Sequence, residues 1–303
     1  MEELEVLRKK YVFSLIVLVV IVLVLLVLFY AFFGFDSGLI SLFSFLLVFF
    51  IVLYLYLNRK KKEAFERQYK KVVVIDVMRE VFTDVKFNYD KGLPISVIRG
   101  TDMMHTGNIY NSNDLFSGKY KDVNFSCSDI TIGNETTDSD GNTSTTYYFI
   151  GQWYIFDFNK CFRGEFQVCE NSFRHSNKKT GFLGIGKVND IVEVEDVEFN
   201  KTFSVYASDP HSVFYVLTPK IIESIKQINE EVSGKLLFCF IGSKLHVGVY
   251  SGKDNFKVSA FHKVDLEKAK EKIKKELLPI TNFIDKLDLD NDIFKTTGNW
   301  KEV

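Results

Sequence analysis

The sequence predicts an α+β protein: an N-terminal transmembrane helical hairpin, a helical stalk, and a mainly antiparallel β-sheet domain with two or three helices. Two uncharged apolar runs, residues 11–35 and 39–57, predict the hairpin, because a helix needs about 20 apolar residues to cross a hydrocarbon core. Further along, short segments rich in Val, Ile, Phe and Tyr lie between turn residues, as antiparallel strands do. These changes of pattern divide the chain into a tail (1–10), the hairpin (11–57), a basic then amphipathic stalk (58–86), the α+β domain (87–287) and a loose tail (288–303).

The flanks of the hairpin carry its charge. The break between the runs, residues 36–38, offers only Asp36, whereas basic residues stand on both outer sides: Arg8, Lys9, Lys10, Arg59, Lys60, Lys61 and Lys62. Positively charged flanks remain in the cytoplasm. We therefore expect a cell-membrane protein with two spans, both termini cytoplasmic and the soluble domain inside. Residues 59–62 either contact anionic lipid headgroups at the membrane surface or serve only to retain this end of the hairpin inside.

Two other interpretations of the hairpin are less consistent with its sequence. A cleaved signal peptide would explain the basic flank, but the first run is too long, lacks a small-residue cleavage pattern and is followed at once by a second run. A channel or transporter subunit would normally carry ionisable residues within its spans, and neither run has one. An oligomer could still line a pore with Ser41 and Ser44.

Composition excludes several classes of site. The formal net charge is -1, so no strong global field attracts nucleic acid. Cys127, Cys161, Cys169 and Cys239 lack the paired spacing of a disulfide framework or a zinc site, which indicates reduced, mostly buried thiols. The five histidines are scattered, and His246 within an alternating strand indicates a structural role. No cofactor or metal site is predicted.

Two different periods predict the stalk and the sheet. Apolar residues recur every three or four positions over 59–85, which indicates a helix continuing the second span. Strands are predicted at 95–98, 122–132, 146–158, 164–170, 191–197, 203–207, 214–217, 235–241, 244–250 and 256–261, with polar loops at 133–145 and 171–186.

Two longer helices complete the predicted domain. Thr218 as N-cap and Pro219 at the first helical position start one of them, and it ends near Ser233. Asp265 caps the other, which continues with a kink through Pro279, because proline removes one helical hydrogen bond.

Three motifs resemble ligand loops but lack the residues that the chemistry needs. Residues 181–187 spell G-F-L-G-I-G-K, yet Val188 stands where a phosphate-binding loop needs a hydroxyl, so a glycine-rich hairpin loop is predicted. The acidic stretches that start at Asp138 and Asp288 carry Phe149 and Asn299 where a calcium loop places a bidentate Glu. Both stretches are predicted to be solvated loops.

One longer pattern is specific enough to suggest a family. It comprises Phe149, Gly151, Trp153, Asp157, Phe158 and Lys160, and then F-x-x-x-F-x-V-Y-A-x-D over residues 199–209, leading into L-T-P at 217–219. The chain resembles, over roughly residues 60–260, the bacterial family called domain of unknown function 3137. The resemblance implies two N-terminal spans followed by a cytoplasmic domain, and a membrane-associated partner of the LemA type; it implies no catalytic residues.

These observations predict a binding module rather than an enzyme. We expect a membrane-anchored cytoplasmic module that binds a protein partner or the inner membrane surface; the sequence leaves its oligomeric state open. The alternative is a membrane-tethered enzyme that uses polar residues of the 150–211 region, with Asp157, Asp196, Asp209 and His211 as candidates. Convergence of these side chains in one pocket would favour the enzyme, whereas capping a turn is the simpler role for one of Asp196, Glu198 and Asp209.

Overall fold

The computed structural model describes residues 1–33, 37–157, 165–173, 190–207 and 210–290. These residues form two compact units. One unit comprises Met1–Val77 with Phe256–Ile273, and the other comprises Met78–Asn255 with the chain from Lys274 onward. We refer to them as the hairpin unit and the sheet unit.

Two long helices, α1 (Glu2–Phe33) and α2 (Ser37–Tyr69), dominate the hairpin unit. Helix α1 contains residues 11–33 of the first predicted apolar run and α2 contains the second run, 39–57; both helices are long and apolar enough to cross a membrane. Residues 34–36, which are the end of the first run and the first residue of the predicted break, lie outside the described residues. The Tyr54 hydroxyl donates a hydrogen bond to the Ser14 carbonyl oxygen at 2.9 Å. The rings of Phe29 and Phe43 stack with centroids 4.1 Å apart. The two helices therefore pack against each other as an antiparallel pair.

The helical stalk is shorter than its periodicity predicts. After α2 comes a π-helical turn, Lys70–Val74, and then α3 (Ile75–Val81). Residues 83–85 were expected to be helical, but they belong to the first strand, because Thr83–Asn88 pairs with the next strand of the sheet.

The sheet unit is built on one antiparallel sheet, which confirms the predicted α+β class. Within the described residues the sheet has nine strands in the order β1-β2-β3-β4-β9-β8-β5-β7-β6. The strands are β1 (Thr83–Asn88), β2 (Ile109–Tyr120), β3 (Val123–Thr137), β4 (Thr143–Asp157), β5 (Phe166–Glu170), β6 (Asp190–Val192), β7 (Phe203–Ala207), β8 (Lys235–Ile241) and β9 (Lys244–Tyr250).

The elements that have a clear capping or turn signal in the sequence were located correctly. Helix α7 (Pro219–Glu231) begins after Thr218, whose hydroxyl accepts a hydrogen bond from the Ile221 N–H. The β8–β9 hairpin turns at Gly242, where φ is +57°, a conformation that glycine adopts without steric cost. Helix α8 (Leu266–Lys286) continues through Pro279, as predicted.

Three predicted strands are wrong. Residues 95–98 form α4 (Ile95–Arg99), and most of 214–217 lies in α6 (Pro210–Val216). Both segments are short apolar runs, for which periodicity does not separate helix from strand. Residues 256–261 have no regular structure, and Phe256 adopts a positive φ of 58°.

The predicted loop at 133–145 is mostly strand. Strand β3 continues to Thr137 and β4 starts at Thr143, so only residues 138–142 remain as the turn. β-Branched threonines near the tip favour the extended backbone despite their polarity. The structure also adds β1 and β2, which the pattern analysis did not predict, and the short helix α5 (Val197–Thr202). The second predicted loop lies outside the described residues from 174 to 189, as does the tail from 291.

Apolar side chains fill both faces of the sheet. On one face, the Phe283 ring of α8 packs against Tyr154, Phe156 and Phe238, with ring centroids 5.6, 5.8 and 6.3 Å away. The opposite face packs against α4 and the segment that follows it, in a cluster that includes Ile98, Met103, Trp153, Leu237 and Cys239. Polar side chains that lie within this doubly covered sheet therefore need a specific structural or chemical reason.

Candidate functional site

A β-bulge turns one aspartate of β2 into the interior. Asn113 lies opposite Asp129, whereas Phe116 lies opposite Cys127, so β2 carries one extra residue at this point. Asp114, within the bulge, has a φ of +55° and is buried. Bulges redirect a side chain that regular pairing would have pointed elsewhere. The bulge thus places the Asp114 carboxylate beside strand β3.

Asp129 of β3 lies at the centre of a hydrogen-bonded network. Its Oδ1 accepts a hydrogen bond from Gln152 Nε2 at 3.0 Å, and its Oδ2 accepts one from the Asn255 backbone N–H at 2.9 Å. Gln152 Nε2 also donates to the Lys253 carbonyl oxygen at 3.0 Å. These bonds hold the chain that follows β9 over strand β4, and they bring Asp254 to the other two aspartates.

The three carboxylates form a compact acidic cluster. Their nearest oxygens, from Asp114, Asp129 and Asp254, all lie within 4.8 Å of one another. Burial raises the pKa of Asp129 well above its ordinary value; the hydrogen bond with Asp254 and the negative charge of that residue raise the pKa further, while the bond from Gln152 lowers it. Both the burial and the neighbouring carboxylates therefore favour the protonated form of Asp129, since ionising it would place a further charge among them.

The chemistry open to this cluster is limited to proton and cation binding. A proton shared between Asp129 and Asp254 would stabilise this pair. Three oxygen ligands at this spacing also suit a hard divalent cation such as Ca²⁺ or Mg²⁺, for which the three aspartates would be the ligands. The nearby Cys127 thiol is not a nucleophile, because burial raises its pKa well above the ordinary value.

A cleft of about 520 Å³ adjoins the acidic cluster. Gln152 and Asn255 contribute to both, since they bond to Asp129 and also line the cleft. The rest of the lining mixes charges and apolar groups from the end of α7 and from α8, including Glu231, Val232, Lys275, Glu276, Leu278, Pro279 and Asn282. Pro279 has no N–H, so the Lys275 carbonyl oxygen receives no helical hydrogen bond from it.

A second, smaller cleft of about 270 Å³ has an aromatic lining that includes Tyr147, Tyr148 and Tyr250. Lys235 lies at its edge, where its Nζ donates to the Ser172 carbonyl oxygen at 2.7 Å and stands 6.0 Å from the centre of the Tyr250 ring. Because the Lys235 ammonium already donates this hydrogen bond, the smaller cleft offers a less distinctive set of chemical groups than the larger one.

Comparison with known proteins gives one family. Residues 147–289 match the model of a family described as "Protein of unknown function (DUF3137)". The resemblance to DUF3137 is confirmed. The DUF3137 segment contains Gln152, Asp254 and the lining of the larger cleft, but Asp114 and Asp129 lie before it.

A solved structure also shows a distant likeness. It is the crystal structure of the mycobacterial trehalose monomycolate transport factor A, TtfA, with 6% sequence identity and a TM-score of 0.41, over 74% of this chain and 94% of that chain. No curated protein matches the chain significantly in sequence.

The sequence-predicted polar residues that the structure describes lie on separate elements. Asp157, at the end of β4, forms an ion pair with Lys244 and accepts a hydrogen bond from Asn124 Nδ2 at 2.9 Å. His211 is exposed on α6, and Asp209 lies outside the described residues.

Asp196 caps helix α5. It accepts a hydrogen bond from the Phe199 N–H at 2.9 Å and forms an ion pair with Lys226 at 3.1 Å. The Phe199 N–H, and then Lys226, lower the pKa of this carboxyl. Asp157 and Asp196 are thus held by different lysines and share no hydrogen bond or ion pair, and each has a structural partner that accounts for it.

His246 is a structural histidine, as its strand position indicated. Trp153 Nε1 donates a hydrogen bond to its Nδ1 at 3.3 Å. Burial, and then the charge of Lys244, lower its pKa to about 4. The imidazole is therefore neutral at physiological pH.

The acidic cluster escaped sequence analysis for a physical reason. Its members come from two neighbouring strands and from a segment more than a hundred residues later, so no spacing relates them. One signal was available: Asp129 occupies the same side of β3 as the buried Phe125 and Cys127. A carboxylate at an inward strand position needs a partner, which singles out Asp129 but not its neighbours.

Proposed function

We propose that this chain is a membrane-anchored cytoplasmic module that binds a membrane-protein partner through the sheet unit. The observation that carries the proposal is the exposed, uncharged surface of residues 11–33 in α1 and 39–57 in α2. Many of the large apolar side chains along both helices are exposed, for example Phe13 at 68% and Phe45 at 70%. Such a surface is too large for a soluble monomer to present to water.

The dimensions of the apolar surface support a bilayer as its environment. At 1.5 Å per residue, the helical stretches 11–33 and 39–57 extend about 34 and about 28 Å, compared with a hydrocarbon core of about 30 Å. Two polar side chains of these stretches bond within the pair: the Ser14 hydroxyl donates to the Tyr11 carbonyl oxygen, and the Tyr54 hydroxyl donates to the Ser14 carbonyl oxygen.

The charge asymmetry supports a cytoplasmic sheet unit. Arg59, Lys60, Lys61 and Lys62 are exposed, and they follow the apolar stretch of α2 directly. Under the positive-inside rule, this end of the hairpin faces the cytoplasm together with both chain termini. The described free thiols, Cys127, Cys169 and Cys239, are compatible with a reducing compartment.

A candidate partner surface lies at the β6 edge of the sheet. Among the described residues β6 is the last strand in the sheet order. Exposed apolar side chains occur on β6, α5 and α6: Ile191 and Val197 at 66%, Tyr215 at 58% and Phe214 at 51%. Exposed strand edges and apolar side chains are common features of protein interaction sites. The family resemblance adds a membrane-associated partner, of the LemA type, as the first candidate.

Cysteine labelling of whole cells tests the topology. A membrane-impermeant maleimide should label an Asp36→Cys variant and leave a Lys91→Cys variant unlabelled, with the unsubstituted chain giving the background from native thiols. Recovery in the carbonate-resistant membrane fraction is expected for all three proteins. Labelling of the Lys91→Cys variant on intact cells would place the sheet unit outside and overturn the proposal.

Photo-crosslinking tests the partner surface. A benzoylphenylalanine in place of Phe214 should form an adduct with an integral membrane protein, and a second substitution, Ile191→Asp, should abolish it. The same probe at Tyr147, which is also half exposed but lies on β4, is the matched control. Equal adducts at both positions, or none at Phe214, would contradict a specific surface at β6.

The enzyme alternative is favoured by one observation, the position of the buried Asp129 carboxyl, whose pKa is raised, beside the larger cleft that Gln152 and Asn255 line. Enzymes often place a carboxyl of raised pKa beside a substrate cleft. Thermal unfolding of the full chain with Mg²⁺, Ca²⁺ or Mn²⁺, compared with an Asp129→Asn variant, separates the possibilities. Stabilisation of the unsubstituted protein alone would favour a cation-dependent activity; equal curves would favour a purely structural cluster.

A further inference from the structure

A second membrane contact can be located within the hairpin unit. The segment 256–263 belongs to this unit although it lies almost 200 residues from α2 in sequence. It is attached to α1, because Arg8 Nη1 donates a hydrogen bond to the Ala260 carbonyl oxygen at 3.0 Å. Ala260 and Phe256 are buried, whereas Phe261 is 69% exposed. An apolar ring thus projects from a segment that is fixed beside the first helix.

The depth of this attachment follows from helix geometry. Arg8 precedes Tyr11, the first residue of the uncharged run, by three positions, or about 4.5 Å along the helix. The polar headgroup region on each side of the hydrocarbon core is about 5 to 8 Å thick. The hydrogen bond from Arg8 therefore places Ala260, and Phe261 next to it, at the depth of the lipid headgroups. His262 and Lys263, which follow, are also exposed.

The helix pair gathers basic residues at the same depth. Ser14 contacts Tyr54, and Glu3 accepts a hydrogen bond from Gln68 at 2.8 Å, so residues 9 and 10 of α1 lie level with residues 58–62 of α2. We name the resulting group the basic collar; it consists of Lys9, Lys10, Arg59, Lys60, Lys61 and Lys62. All six side chains are exposed.

Part of the basic collar lacks an internal counter-ion. Arg59 pairs with Glu63 at 2.6 Å and Lys62 with Glu66 at 3.6 Å. Among the residues that the structure describes, Lys10, Lys60 and Lys61 form neither a hydrogen bond nor an ion pair. Their charges are therefore available to a ligand, and their position next to the apolar surface identifies the kind of ligand.

We propose that the basic collar and the Phe261 segment together form a binding site for anionic phospholipids, in which the lysines contact the headgroup phosphate while Phe261 inserts among the upper acyl carbons. The proposal rests on the proposed membrane anchoring of the hairpin, and it adds the lipid class and a contact from a distant part of the chain. An exposed aromatic beside basic side chains is the composition of interfacial membrane segments. An acidic peptide would account for the charges but not for the apolar ring next to them.

The test uses the full chain in lipid nanodiscs with Phe261→Trp as a reporter. Lipids brominated at the upper acyl carbons quench tryptophan on contact; the unsubstituted chain gives the contribution of Trp153 and Trp300. At equal mole fraction, brominated phosphatidylglycerol should quench the reporter more than brominated phosphatidylcholine does. A lysine near an anionic surface contributes on the order of 1 kcal/mol, or about a fivefold local enrichment.

Charge variants separate a specific site from general attraction. Replacing Lys10, Lys60 and Lys61 by Gln in the reporter chain should bring the two brominated lipids to about equal quenching. The matched control replaces Lys91, Lys201 and Lys220, exposed lysines of the sheet unit, and should leave the preference intact. Loss of the preference in both variants would overturn the proposal.

The remaining outcomes test whether the ligand is a lipid and whether the hairpin is anchored in the membrane. Inorganic phosphate at constant ionic strength should not reduce the preference; competition by phosphate would show an ion site instead of a lipid site. Incorporation into nanodiscs without quenching of the reporter by either lipid would overturn the proposal while leaving the anchor intact. Failure to incorporate at all would contradict the anchor itself.

Discussion

His246 and Asp129, two buried side chains of the sheet unit, are both shifted towards their uncharged forms, and their pKa values therefore move in opposite directions. Burial lowers the pKa of His246 and raises the pKa of Asp129. Each group therefore links folding to pH with its own sign.

We predict that acid destabilises the sheet unit through His246. With a folded pKa of about 4 against an unfolded value of about 6.5, its contribution is complete above pH 6.5 and is lost as the pH falls towards 4. The loss between pH 7 and pH 5 is about 2 kcal/mol. Urea unfolding followed by Trp153 fluorescence measures it. A His246→Gln variant, whose amide oxygen can still accept from Trp153, should lack this loss, whereas the exposed His262→Gln should retain it.

We predict the opposite slope from Asp129. Because its folded pKa lies above the unfolded value of about 4, its contribution is complete below pH 4 and decreases as the pH rises towards the folded pKa, by up to about 1.4 kcal/mol per pH unit. The two slopes oppose each other between pH 4 and 6.5, so the measurement is made in the His246→Gln background. There, adding Asp129→Asn should remove the decrease. An unchanged slope would mean that Asp129 is ionised in the folded protein.

At the scale of elements, the β4–β9 pairing depends on a close backbone approach. A Cβ built on Gly151 would meet the Val249 carbonyl oxygen at 1.9 Å, in the middle of the sheet. Movement of a side chain cannot relieve this contact, because the nearest atom is the backbone carbonyl oxygen of Val249.

We therefore predict that Gly151→Ala disrupts the sheet at this position and costs about 3 kcal/mol or more of unfolding free energy, as strain at a buried backbone position does. Gly118→Ala in β2 is the control, since its Cβ would meet its nearest neighbours only at 3.2 Å and a small shift accommodates it. Urea unfolding of both variants gives the comparison, and similar losses would argue against the close contact at Gly151.

How far the elements could be predicted depended on local signals. Thr218 with Pro219 and the glycine turn of the β8–β9 hairpin are local, and the elements beside them were located correctly. Strand β2 was missed because the bulge at Asp114 interrupts its alternation. The candidate site was missed because the residues that contact Asp129 come from distant parts of the chain, and no local sequence pattern relates them. The sequence left open which of three carboxylates would cap a turn; in the structure, Asp196 caps α5.

At the scale of the whole molecule, the chain has two helices long and apolar enough to cross a membrane. The two apolar helices and the exposed basic residues beside them support a membrane anchor from simple transfer energies. The sheet unit has clefts, an acidic cluster and an apolar edge. None of these indicates an activity as directly as the two apolar helices indicate a membrane. A membrane anchor depends on many residues acting together, whereas a binding site depends on a few whose convergence only the tertiary structure determines.

The long pairing of β3 with β4 has a practical consequence for anyone who expresses the family segment alone. The DUF3137 match begins at residue 147, within β4, and so excludes β3 and its register from Phe125↔Phe156 to Thr137↔Thr143. A fragment cut at that boundary would expose an open strand edge, which recruits other chains. We predict that residues 147–290 aggregate during size-exclusion chromatography, whereas a fragment starting at Met78 elutes as a defined species. The region of sequence similarity is therefore only part of a folding unit. A 147–290 fragment that stays monomeric would contradict this, because it would show that the matched region folds by itself.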